Sequence, residues 1–113
     1  MIKSYTTVEQ SRKLAEILPL ESADMYYNLA ESKIPNFIVG SHSDYRCYIP
    51  CWSFAALLGV LPKPKVYYST DKTKRWYCEC WNSDGDYITF TKADNPVDAC
   101  VAMIEKLHEL NLM

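Results

Sequence analysis

Four of the five cysteines fall in two close pairs, Cys47 with Cys51 and Cys78 with Cys80. Four thiolates are enough to hold Zn²⁺ tetrahedrally, but the spacing argues against that use. Paired zinc ligands usually stand about two to four residues apart on a tight turn. Cys78 and Cys80 are separated by one residue inside an alternating run, which points both sulfurs to one strand face without wrapping a metal. Cysteine also serves as a small buried hydrophobe, and that reading fits both residues. Cys51, at the start of an apolar run, is the candidate low-pKa thiol, because a helix N-terminus favours thiolate. Cysteine catalysis would then need His42 or His108 as its base. No nucleophile motif surrounds any of these residues.

The remaining chemistry-bearing groups have structural explanations. His42 lies among Ser41, Ser43 and Asp44 in a polar loop, and His108 sits near the end of a helix, where a cation complements the dipole. Asp84 and Asp86 belong to a turn, and Asp94 and Asp98 to a helix cap. The three glycines are isolated, so no phosphate-cradling loop is present. The expectation is a protein without enzymatic activity, metal or cofactor.

The elements that position these side chains are clearest in the last third. Trp76, Cys78 and Cys80 alternate with Tyr77, Glu79 and Trp81; Ser83-Asp84-Gly85 turns the chain; and Tyr87 to Thr91 return. This is a hairpin with Gly85 in the left-handed position. The register expected from that turn sets Asn82 opposite Asp86, Cys80 opposite Ile88 and Cys78 opposite Phe90. Trp76, Cys78 and Cys80 then face inward, while Tyr77, Glu79 and Trp81 share the outer face with Tyr87, Thr89 and Thr91. Trp81–Tyr87 and Tyr77–Thr91 are the expected outer pairs. A terminal helix follows, with Asn95 as N-cap, Pro96 at N1 and Asp98 at N3. Val97, Cys100, Val101, Met103, Ile104 and Leu107 form its inner side, and Glu105, Lys106 and Glu109 point outward.

Upstream, Thr7 and Gln10 make a capping box for a first helix with Val8, Leu14, Ile17 and Leu18 on one stripe, ended by Pro19. Met25-Tyr26-Tyr27 reads as a strand, although Ser22 as a cap would also suit a short helix. Phe37-Ile38-Val39 reads as its partner, and residues 41–48 as a loop. The run from Pro50 to Pro62 carries no charge and reads as a buried central helix. Val66-Tyr67-Tyr68 opens a further strand, turned at Asp71-Lys72-Thr73. The expected fold is α+β: a small antiparallel sheet of three to five strands packed with about three helices, in one globular domain over residues 1–113.

Composition agrees. Nearly half of the 113 residues are apolar, enough to bury about two-thirds of the unfolded surface without a staple. No apolar stretch is long enough to span a bilayer, and Met1 to Tyr5 do not resemble a secretory signal. An odd cysteine count argues against a disulfide framework, so a reducing, cytoplasmic setting is expected. The net charge of −2 gives no overall attraction for nucleic acid. Within residues 63–77, however, Lys63, Lys65, Lys72, Lys74 and Arg75 face Asp71 alone, leaving that segment at +4 and the remainder at −6.

Three blocks, Glu21 to Met25, Ile49 to Pro62 and Ala93 to Leu112, resemble a group of small proteins encoded in prophages and mobile elements of gut anaerobic bacteria. The resemblance implies such an origin and a shared fold, but no chemistry. Its matching residues are mostly core and capping residues. The functional expectation therefore rests on the hairpin surface. Tyr77, Trp81 and Tyr87, beside Lys72, Lys74 and Arg75, supply the aromatic and basic side chains that carry protein interfaces, and self-association is the favoured use. The alternative is a nucleic-acid-binding module built on the same basic-aromatic segment. A cysteine-dependent enzyme is the least supported alternative.

Overall fold

The switch from period two to period 3.6 near residue 94 marks the centre of the architecture. In the computed structural model, which describes residues 3–28, 35–37, 48–71 and 74–113, the terminal helix α3 spans Pro96–Glu109. It packs on β5 (Trp76–Trp81) and β6 (Tyr87–Ala93) and against both other helices, α1 (Val8–Ala15) and α2 (Phe54–Val60). All six of its expected inner residues are buried. Asn95 caps it by accepting from the Asp98 N–H at 2.8 Å. The capping box of α1 forms as well, with Thr7 and Gln10 exchanging bonds at 3.0 and 3.1 Å.

Among the described residues there are two three-stranded antiparallel sheets. The first has β1 (Met25–Tyr27) between β2 (Asn36–Phe37) and β3 (Ile49–Cys51). The second has β5 between β4 (Lys65–Tyr68) and β6. Met25-Tyr26-Tyr27 is thus a strand, and a 3₁₀ turn, Leu20–Ser22, precedes it. Phe37 lies in its partner strand, while Ile38 and Val39 fall outside the described residues, as do His42, Cys47 and Lys72.

The expected central helix needs correction. Ile49–Cys51 is a strand, paired with Tyr27, Tyr26 and Met25, and α2 begins only after Ser53. Ser53 caps α2 and is itself gripped by Asp24, which accepts from its N–H at 2.9 Å and from its hydroxyl. Leu57 is the one fully buried residue of this seven-residue helix, so α3 is the buried helix of the fold. A charge-free run satisfies a strand and a short helix in succession as well as it satisfies one long helix.

Two hydrophobic clusters result. The larger joins Leu14, Trp52, Leu57, Cys78, Cys80 and the inner side of α3. The smaller joins Met25, Tyr27 and Cys51, with Tyr5, Val8 and Ile49 against it. No described helix is long and apolar enough to cross a membrane.

Candidate functional site

The hairpin turn forms as expected, with Gly85 at φ +87° and its N–H bonded to the Asn82 carbonyl at 3.0 Å. Asn82 opposes Asp86, and Trp81 pairs with Tyr87. The register then shifts at a bulge: Cys80 pairs with Thr89 rather than Ile88, and Cys78 with Thr91 rather than Phe90. Ile88 is the extra residue, and it packs toward the larger cluster. Everything downstream on β6 therefore changes face. Thr89 and Thr91 share the inner side with the cysteines, where the Thr91 hydroxyl donates to the Ala99 carbonyl of α3 at 2.7 Å. Phe90 turns outward and is 45% exposed, and Tyr77 opposes Lys92 instead of Thr91.

The outer face that this register creates is richer than the expected strip. Tyr67 on β4 stacks on Tyr77 of β5, centroids 5.5 Å apart, and Tyr77 meets Phe90 of β6 at 6.0 Å. Each end of this cross-strand ladder is closed by an ammonium group. Lys65 Nζ lies 5.3 Å above the Tyr67 ring, and Lys106 Nζ reaches from α3 to 6.0 Å from the Phe90 ring. Next to the ladder, Trp81 and Tyr87 pack edge to face at 5.5 Å. Glu79 stands among them and accepts from the Tyr67 hydroxyl at 3.2 Å. Partial desolvation, reinforced by the Glu79 charge, raises the pKa of the Tyr67 phenol, and the same two causes raise that of Tyr87. Tyr87, like Phe90, is half exposed.

The residues expected to form the site are only partly gathered here. Tyr77, Trp81 and Tyr87 share the face. Arg75 lies at the other end of β5 from Trp81, about 20 Å away along the strand at 3.3 Å per residue, and is ion-paired with Asp94 at 3.3 Å. Lys74 is exposed in the turn before β5, with φ +46°. The expected site did not include Phe90, Lys92 and Lys106, while Lys65 and Tyr67 entered only through the basic-aromatic segment 63–77 of the nucleic-acid alternative. Tyr67 was legible as the alternate residue of its strand, whereas Phe90 was hidden by the bulge.

The four described cysteines have no reactive setting. Cys51, Cys78, Cys80 and Cys100 are free and buried. Cys51 lies in β3 rather than at a helix start, and burial pushes its thiol pKa up, overturning the expected low value. Its hydroxyl neighbour Thr6 bonds the Ser11 hydroxyl at 2.8 Å and so belongs to a structural network. A hydrogen bond to Cys100, followed by burial, pushes the Cys78 thiol up to about 12. Cys80 is raised further by its bond to Cys78 and by burial. No group of three potential metal ligands occurs among the described residues. His108 is exposed, with Nδ1 3.1 Å from the Met113 carbonyl.

No protein-family model, curated protein or solved structure matches this chain.

Proposed function

We propose that this is a non-enzymatic interaction protein that binds other proteins, copies of itself included, through the outer face of the β4–β5–β6 sheet. One observation carries the reading: five aromatic rings share one sheet face, and two of them, Tyr87 and Phe90, are 50% and 45% exposed. Tyrosine, tryptophan and phenylalanine give large contact area at low entropic cost and dominate the energetics of interfaces. The resemblance to prophage and mobile-element proteins adds a phage or host protein as the alternative to a second copy. Four buried free thiols fit a reducing, cytoplasmic setting.

The ring geometry favours a protein over a single-stranded nucleic acid. Bases stack on open aromatic faces. In the ladder those faces are spent on neighbouring rings and on lysine ammonium groups, and Glu79 adds a carboxylate that repels phosphate.

Quantitative pull-downs and sedimentation velocity with wild type and the Trp81→Ala/Tyr87→Ala double variant test the reading. The variant is expected to stay folded and to lose its captured partner or its self-association. Identical captured proteins and identical masses would sink the proposal. An oligonucleotide isotherm that weakens steeply with salt would replace it with the nucleic-acid reading.

A further inference from the structure

The aromatic face carries a charge pattern that its own molecule mirrors elsewhere. Lys65 and Lys106 cap the ladder and Lys92 opposes Tyr77, and Glu79 is the one carboxylate among the outward residues of the three strands; Asp84 and Asp86 are exposed in the adjoining turn, and Arg75 and Asp94 neutralise each other at the rim. On another surface a cleft of about 300 Å³ lies between α1 and α3, lined by Lys13, Glu16, Ile17, Glu105, His108 and Glu109. Three lysines and one glutamate on one surface thus match three glutamates and one lysine on the other.

We infer that the occupant of the aromatic face is the acidic α1–α3 cleft of a second copy, in a head-to-tail contact. This rests on reading the face as a protein interface and names the surface it meets. Two aromatic faces meeting symmetrically would bring six lysines together with two glutamates, which disfavours a face-to-face dimer. A head-to-tail contact is heterologous, so assembly proceeds past the dimer into rings or open chains. The sheet face covers about 300 Å² in projection, from three strands near 4.8 Å apart and about 20 Å long. Stable complexes bury about 800 Å² per partner, so the association is weak and appears only at high protein concentration.

Charge-swapped variants test this by sedimentation velocity at low salt, with circular dichroism confirming the fold of each. The Lys65→Glu/Lys92→Glu variant has two acidic surfaces, and the Glu105→Lys/Glu109→Lys variant has two basic ones. Each alone is expected to associate at least about tenfold more weakly than wild type, and an equimolar mixture to recover association. Added salt is expected to weaken the wild-type and mixed assemblies alike. Wild-type protein that stays monomeric at millimolar concentration overturns the inference. So does a mixture that fails to associate, or a cleft variant that assembles like wild type. If Trp81→Ala/Tyr87→Ala abolishes binding while the cleft variant does not, the face remains an interface and only the cleft is wrong. If neither set of substitutions changes association, the interface reading fails as well.

Discussion

The rings of Tyr67 and Tyr77 lie 8° from parallel across β4 and β5, directly opposite one another in the register. The contact is a cross-strand pair in which each ring shields the other from water. In a double-mutant cycle with Tyr67→Ala and Tyr77→Ala, the coupling energy should be about 0.5–1.5 kcal/mol by urea unfolding. Additive losses would mean that the two rings merely sit near each other.

The bulge at Ile88 reverses the usual ranking of two β6 substitutions. Phe90→Ala, on the exposed face, should cost about 1 kcal/mol or less. Thr91→Val should cost about 1 kcal/mol, because it leaves the Ala99 carbonyl without its hydroxyl donor. With Phe90 packed inward on Cys78, its truncation would instead cost about 3–5 kcal/mol, and Thr91→Val would cost little. Urea midpoints of the two variants decide between the registers.

Asp98 gives the fold an acid-sensitive tie. Burial acts to raise its pKa, but hydrogen bonds from Lys3, Gln10 and Asn95 outweigh it, and the carboxyl is held below its ordinary value. Lys3 Nζ and Gln10 Nε2 both reach Oδ1, at 2.7 and 2.8 Å. A carboxylate with a depressed folded pKa stabilises above its unfolded value of about 3.9, and the contribution is lost as pH falls through the folded value. Its side chain is 36% exposed, so solvent screening reduces the gain. Asp98→Asn should cost about 1–2 kcal/mol at pH 7, and the gap to wild type should close in acid. A gap that persists unchanged to about pH 2 would show that shape and not charge is responsible.

The four described thiols should be silent until the protein unfolds. Iodoacetamide at mildly alkaline pH is expected to leave Cys51, Cys78, Cys80 and Cys100 unmodified in the folded state and to label all four in urea, read by peptide mass spectrometry. A rapid native-state adduct at Cys51 would contradict its burial.

The parts of this architecture that could be read from the sequence are those set by local chemistry. Thr7 with Gln10, and Asn95 with Pro96 and Asp98, announce their helices because capping is decided within four residues. Cys78 and Cys80 announce an inner face because alternation is strict there. Two features were decided at longer range. Ile49–Cys51 is a strand because Met25–Tyr27, more than twenty residues upstream, offers its edge. The outward turn of Phe90 depends on one surplus residue, Ile88, and the run Tyr87-Ile88-Thr89-Phe90-Thr91 alternates equally well with or without that surplus. The aromatic ladder was half visible for the same reason: two of its three rings were placed by alternation or simple pairing, and the third was placed by the bulge.

Cys51 and Trp52 are neighbours in the chain, yet one is buried in the smaller cluster and the other in the larger. Thr6 clamps the junction: its hydroxyl accepts from the Trp52 N–H at 3.1 Å and its carbonyl from the Tyr27 hydroxyl at 2.7 Å. Melting of either half therefore removes the Thr6 hydrogen bonds that hold the other in place, and heating should produce one cooperative transition in both far- and near-ultraviolet dichroism.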